Sequence, residues 1–270
     1  MTDHLQETIQ FLRNKGIDNP EVGVVLGTGL GKFVDHLTIT HSIPYEEIPH
    51  FPVATVEFHS GKLLVGTCHG KKVIVMQGRF HYYEGYSMQQ ITYPIRVMKL
   101  LGVKHLLLSN AAGGINLAYK KGDLVMLEDH INLQPDNPLR GASDNTLGPR
   151  FPDMNEPYDK SMRTKLAHIA QQQKVSLKEG VYVSVMGPNL ETRAEYRFLG
   201  RIGADMVGMS TVPEVLVAVH MSLPCLAVSV ITDECDPDNL QPVNIQEILA
   251  VAAQADAKLS GLFAELIGAL

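Results

Sequence analysis

Gly78-Arg79-Phe80-His81-Tyr82-Tyr83-Glu84-Gly85 follows the apolar run Val73-Ile74-Val75-Met76. A buried strand that delivers an arginine, a histidine and a tyrosine within five residues, between two glycines, suits a polar ligand docking at the strand end. Arg offers a planar fork of donors that matches phosphate, His adds a donor, and Tyr brings an aromatic body with a polar tip that suits a sugar. The same residues would also serve as a surface turn, since loops after strands are commonly polar. Recurrence of the pattern decides between the two.

Upstream, Val22-Gly23-Val24-Val25-Leu26 reads as a strand that runs into Gly27-Thr28-Gly29-Leu30-Gly31. The third glycine comes one position early for a dinucleotide fingerprint, and Gly31-Lys32-Phe33 lacks the Ser or Thr of a P-loop. The segment reads equally as a tight turn or as a loop presenting the Thr28 hydroxyl to an anion. Strands are expected around Thr55-Val56-Glu57-Phe58 and Lys62-Leu63-Leu64-Val65, flanking a His59-Ser60-Gly61 turn in which a lone His is more often a surface residue than a ligand. Ser87 to Leu101 has helical spacing, with Ser87 as N-cap and Gly102 as stop. Downstream, Leu106-Leu107-Leu108 opens into Ser109-Asn110-Ala111-Ala112-Gly113-Gly114, and Val181 to Val185 ends in Gly187-Pro188-Asn189-Leu190-Glu191-Thr192. Met206 to Thr211 and Leu226 to Ile231, the latter followed by Thr232-Asp233-Glu234, complete the series. Six apolar runs ending in glycine or polar residues, with helices between several, predict an α/β fold. Its expected form is a three-layer α/β/α single domain over residues 1–270 with a central, largely parallel or mixed sheet. Ligands of open α/β sheets bind beyond strand ends, so the six tips can share one pocket.

At 270 residues, 45% hydrophobic and with a net charge of −6, the chain fits one globular core and carries no basic surface for nucleic acid. Three cysteines without a C-x-x-C pair suit a reducing compartment, so a cytoplasmic location is expected. The N-terminal residues show helical spacing rather than a signal peptide, and Val215 to Ile231 is broken by His220, Ser222 and Pro224, so no membrane span is expected. Gln134 to Tyr158, with five prolines, reads as a functional or subunit-contacting loop. Asp233 to Val243 reads as a mobile flap, and the residues from Asn244 onward as a closing amphipathic helix.

No H-E-x-x-H or zinc-type spacing occurs, so no metal is expected. Gly208-Met209-Ser210-Thr211-Val212 lacks the final glycine of a nucleophile elbow. Ser210 reads either as a hydroxyl donor near the start of a helix or as its N-cap. Glu191 and Asp233 each have a plain reading, as a first-turn acid and a turn residue. Together with the donors above, they suggest a ligand that is anionic at one end and hydrogen-bonding at the other, such as phosphate beside a nucleoside.

Gly27 to Gly31, Gln77 to Gly85, Asn110 to Gly114, Asp129-His130-Ile131-Asn132, Gly187-Pro188 with Glu191-Thr192, and Gly208 to Val215 occur in this order. In these segments the chain resembles the trimeric purine nucleoside phosphorylases over nearly its whole length. The resemblance implies reversible phosphorolysis of purine nucleosides in a homotrimer that needs no cofactor beyond inorganic phosphate as co-substrate. It implies phosphate held by Thr28, His59, Arg79, His81, Ala111 and Ser210, and ribose met by Tyr83 and Met209. Tyr182, Glu191 and Asp233 would hold the base, with Arg79, His81 and Asp233 carrying the catalysis. Phe151 would reach the neighbouring subunit's site.

Three positions depart from the family pattern. Asp233 stands where enzymes cleaving 6-oxopurine nucleosides usually have Asn, and Ile245 where a His usually meets the 5′-hydroxyl. Leu190 replaces a Phe that packs on the base. Asp233 and Ile245 resemble methylthioadenosine phosphorylase, a sister family, whereas Glu191 suits the N1–H of 6-oxopurines. The expectation is a purine nucleoside phosphorylase that also accepts adenosine. The alternatives are a methylthioadenosine phosphorylase and a non-catalytic nucleoside sensor.

Overall fold

Runs of aliphatic residues punctuated by glycine and polar residues dictate short strands. The computed structural model describes residues 2–53, 55, 60–141 and 145–270, and among these it joins nine strands in one mixed sheet with six α-helices around it. In chain order these are α1 (Thr2–Asn14), β1 (Val22–Val25), β2 (Thr38–Pro44), β3 (Lys62–Cys68), β4 (Lys71–Gln77), α2 (Met88–Leu101), β5 (His105–Gly114) and β6 (Leu124–Asn132). There follow α3 (Lys160–Gln172), β7 (Leu177–Ser184), α4 (Arg193–Arg201), β8 (Met206–Gly208), α5 (Val212–His220), β9 (Cys225–Glu234) and α6 (Ile245–Ala269).

The mixed sheet expected from the sequence is present, and it does more than lie open. β1 runs parallel between β4 and β5, and the antiparallel strands β3 and β2 extend the sheet beyond β4. On the other side β5 pairs with both β8 and β9, and β8, β7, β6 and β9 follow one another, so five strands close into a ring. Alternate side chains of the central strands enter two cores. One includes Val25, Ile74, Leu106 and Leu108 with apolar faces of α1, α2 and α5; the other includes Val24, Val75 and Leu107 with those of α3 and α6. Sheet faces covered on both sides explain why these strands read as nearly continuous hydrophobic runs.

Local signals are met where they were clearest. Ser87 accepts from the Gln90 N–H at 3.2 Å, the Gln90 side chain accepts from the Ser87 N–H at 2.9 Å, and Gly102 closes α2 at φ +119°. Asn244 caps α6 by accepting from the Gln246 N–H at 2.9 Å. Two expectations change. Ser109 to Gly114, expected as a strand end open to another backbone or a ligand, continues β5, because β8 and β9 pair with these small residues. Asp233 and Glu234, expected in a flap, belong to β9, and the irregular stretch after them is tied down by a Cys235 N–H bond to Gly114 O (2.8 Å) and by an Arg197–Asp238 ion pair. The strand expected around Val56 to Phe58 lies outside the described residues. No described helix is long and apolar enough to cross a membrane.

Candidate active site

A cavity of about 330 Å³ opens where the residues following β1, β4, β7 and β8 and the end of β9 meet the second half of β5. Because β8 runs against β5, the chain leaving Gly208 turns back alongside Asn110 and Ala111. One end of the cavity thereby combines Thr28, Arg79, His81, Ala111 and Ser210.

Arg79 is the anchor of that end. Its guanidinium is 1% exposed; Nε donates to Glu214 Oε1 at 3.1 Å and Nη1 to Ser109 O at 2.5 Å. A buried guanidinium requires a counter-charge, and Glu214 supplies one while its other oxygen accepts the Thr211 N–H at 2.9 Å. The same carboxylate therefore orients Arg79 and caps α5. Thr211, at φ +70°, is the N-cap, which leaves Ser210 to line the cavity. Asn110 holds Thr211 from the opposite side, Nδ2 donating to Oγ1 at 2.9 Å.

His81 and Tyr83 stack at 4.6 Å between ring centroids. Glu84 accepts from the His81 N–H at 2.7 Å and pairs with Nδ1 at 2.9 Å. Burial acts to raise the Glu84 carboxyl, but hydrogen bonds from His81 and Thr55 overcome it and bring the pKa down to about 2. Burial, with the negative Glu84 nearby, pushes the Tyr83 phenol up to about 12, so it remains a neutral donor.

The far end carries two carboxylates. The register between β5 and β9 shifts after Ala112, which pairs with Ile231, whereas Gly113 pairs with Asp233. Thr232 is the extra residue of this bulge, and so Thr232 and Asp233, though adjacent in sequence, both reach the cavity. Thr232 Oγ1 donates to Asp233 Oδ1 at 2.9 Å and Cys235 Sγ to Oδ2 at 3.1 Å. Glu191 lies just before Thr192, the N-cap of α4. Burial pushes its carboxyl upward, with the negative Asp233 adding to the effect, against a hydrogen bond with Tyr196. Met209, Val207, Leu190, Ile245 and Ile248 contribute apolar lining to the space.

Eleven of the residues singled out in the sequence thus share one cavity: Thr28, Arg79, His81, Tyr83, Ala111, Leu190, Glu191, Met209, Ser210, Asp233 and Ile245. Tyr182 does not line it. This side chain is fully buried beneath Gly208, and its hydroxyl accepts from the Ser210 N–H at 3.3 Å. Phe151 lies outside the cavity, 87% exposed, with Arg150 beside its ring. His59 lies outside the described residues. Tyr196, which lines the cavity, and Glu214 and Cys235, which touch Arg79 and Asp233 from outside it, escaped notice, although Thr211-x-x-Glu214 is a legible capping pattern. A larger cavity of about 420 Å³ backs onto Thr232 and Asp233, but its cations Lys120 and Lys121 are already paired with Glu234 and Glu247. Among the described residues no group of three His, Cys, Asp or Glu side chains could hold a metal ion.

The chain belongs to the phosphorylase superfamily, whose model matches residues 21–268, and within it to the purine nucleoside phosphorylases. It is 44% identical to purine nucleoside phosphorylase 1 of Bacillus subtilis over 95% of both chains. Against the Bos taurus purine nucleoside phosphorylase it is 43% identical, over 98% of this chain and 94% of the other. The Schistosoma mansoni purine nucleoside phosphorylase in complex with adenosine superposes with a TM-score of 0.93 at 41% identity, covering 99% of this chain and 97% of that one.

Proposed function

We propose that this cavity catalyses reversible phosphorolysis of purine nucleosides, 6-amino as well as 6-oxo, to the free base and ribose 1-phosphate. The observation that carries the reading is one continuous cavity lined both by the buried donors Arg79 and Ser210 and by the carboxylates Glu191 and Asp233. Phosphate held by Arg79, Ser210, Thr28, His81 and the Ala111 backbone attacks C1′ as the glycosidic bond stretches. The sugar then carries positive charge between the phosphate and a departing purine that gains negative charge. Catalysis is positioning plus electrostatic stabilisation by groups already fixed in place. Phosphate is itself the nucleophile, so the scheme asks for neither a protein nucleophile nor a cofactor.

At the base, Glu191 faces N1 and Asp233 the 6-substituent and N7. Asp233 accepts from a 6-amino group, and the related Schistosoma mansoni enzyme seen with adenosine supports that breadth. Ile245 and Ile248 at the cavity wall favour tolerance of a 5′-alkylthio group, the feature of a methylthioadenosine phosphorylase. Base release from inosine, guanosine, adenosine and methylthioadenosine, each with and without phosphate, tests both readings. Phosphate-dependent release from inosine, guanosine and adenosine is expected, and confinement to the 6-oxo pair would remove the role given to Asp233. Three free, buried cysteines fit a reducing cytoplasm.

A further inference from the structure

Ser210 lines the cavity, and a serine hydroxyl can give its hydrogen or receive one. Which of the two it does is set across the sheet. In the register of β5 and β9, Asn110 lies opposite Ser229, and Ser229 Oγ donates to Asn110 Oδ1 at 2.6 Å. Asn110 Nδ2 donates to Thr211 Oγ1 at 2.9 Å, and Thr211 Oγ1 lies 3.1 Å from Ser210 Oγ. The shorter contact fits O–H···O and the longer fits N–H···O, so the Asn110 amide stands with its oxygen toward β9. Ser229 and Thr211 are fully buried and Asn110 nearly so, which keeps solvent from competing for these bonds. The Ser210 backbone is fixed as well, its carbonyl accepting from Ser184 Oγ at 3.0 Å and from the Val212 N–H at 2.8 Å.

We propose that Ser229, Asn110 and Thr211 are positioning residues, a one-way relay of hydrogen bonds that commits the Ser210 hydroxyl to donate into the cavity, where it meets an oxyanion. The inference deepens the phosphate reading given above and rests on it. Asn110 Oδ1 carries no hydrogen, so Ser229 donates to it and the amide NH₂ is left for Thr211. Thr211 Oγ1, already accepting, gives its own hydrogen to Ser210 Oγ. Ser210 Oγ is then an acceptor on the protein side, and its hydrogen faces the cavity.

With the amide turned over, Thr211 would donate to Asn110 and accept from Ser210, and phosphate would meet lone pairs instead of a hydrogen. No proton changes owner in the relay. It fixes the direction of each bond before the ligand arrives, so the donor needs no reorganisation when phosphate binds.

Neutron diffraction from deuterium-exchanged crystals, grown without phosphate or sulfate, locates the hydroxyl deuterons in the intact enzyme. The expected positions are Ser229 toward Asn110, Thr211 toward Ser210, and Ser210 into the cavity. A Ser210 deuteron on Thr211, or a Thr211 deuteron on Asn110, overturns the proposal. Ser229→Ala frees the amide to turn over. With about one third of the molecules still in the donating arrangement, affinity for inorganic phosphate in calorimetric titration should fall about threefold. Hypoxanthine affinity should stay the same, and in a Ser210→Ala background Ser229→Ala should cause no further loss of phosphate affinity, whereas a purely structural defect would add to it. Unchanged phosphate affinity in Ser229→Ala, an equal loss for hypoxanthine, or a loss that persists without the Ser210 hydroxyl also overturns the proposal. The diffraction result needs no variant and decides the matter where Ser229→Ala does not fold. If the wild type binds phosphate and shows these deuteron positions yet releases no base from any nucleoside, the nucleoside reading fails and the relay stands. If it binds no phosphate, the relay falls.

Discussion

Arg79 shows how one residue is specified twice, once by its ligand and once by the protein. Its donors are legible in the sequence because a strand ending in Gly-Arg-x-His is chemically unusual, but its partner Glu214 is not, being 135 positions away. Glu214 uses both oxygens, one on Arg79 Nε and one on the Thr211 N–H. Glu214→Gln would set an amide NH₂ against one of these donors, costing about 1–3 kcal/mol for the bond left unmade. Denaturant unfolding should register that loss, and kcat/KM at limiting phosphate should fall about tenfold as the guanidinium loses its fixed aim. Arg79→Ala should lower kcat/KM further, roughly ten- to two-hundredfold, for a charge-assisted bond of about 1.5–3 kcal/mol. Unchanged phosphate kinetics in Arg79→Ala would take it out of the site. Cys235 was illegible for the same reason as Glu214: its place in the sequence gives no hint of the carboxylate it touches.

At the level of elements, the buried runs of β1, β4, β5, β7, β8 and β9 were readable because both faces of the sheet are covered. β6 was not, since its second half, Glu128 to Asn132, is polar and partly exposed. The small residues after Leu108 read as a strand end that lets another backbone come close; β8 and β9 do come close, but as partners of a strand that continues through Gly113 and Gly114. The antiparallel course of β8 cannot be read from three residues, yet it decides where Ser210 falls. Gly208 is the pivot of that course. A Cβ there would lie 2.2 Å from the Tyr182 hydroxyl, which supports the Ser210 N–H. Gly208→Ala should therefore destabilise the fold by about 1–3 kcal/mol through overpacking. Adding Tyr182→Phe should recover part of that loss in the melting curve, because the obstructing oxygen is gone. Equal stability of Gly208→Ala and the wild type would contradict this packing.

For the whole molecule, Phe151 stands out by its exposure. A large aromatic ring 87% exposed, in a proline-rich loop with Pro152 and Arg150, suits insertion into another copy of the chain. We propose a homotrimer in which each subunit completes its neighbour's nucleoside site. Phe151→Ala should lower kcat/KM for the nucleoside about tenfold. Trimers mixed from Phe151→Ala and Arg79→Ala chains should regain activity, because some sites would then combine an intact Arg79 with an intact Phe151. Absence of such recovery would argue for self-sufficient subunits.

The ring of β5, β8, β7, β6 and β9 bears on assembly as well. By closing on itself it leaves β2 as the terminal strand of the described sheet, although β6 meets β9 only from Leu124 to Met126. That margin is irregular: its register slips between Ile39 and His41, and Pro44 finishes it without an amide hydrogen to offer. At the β2 margin, copies of this chain thus find a poor template for adding strand to strand.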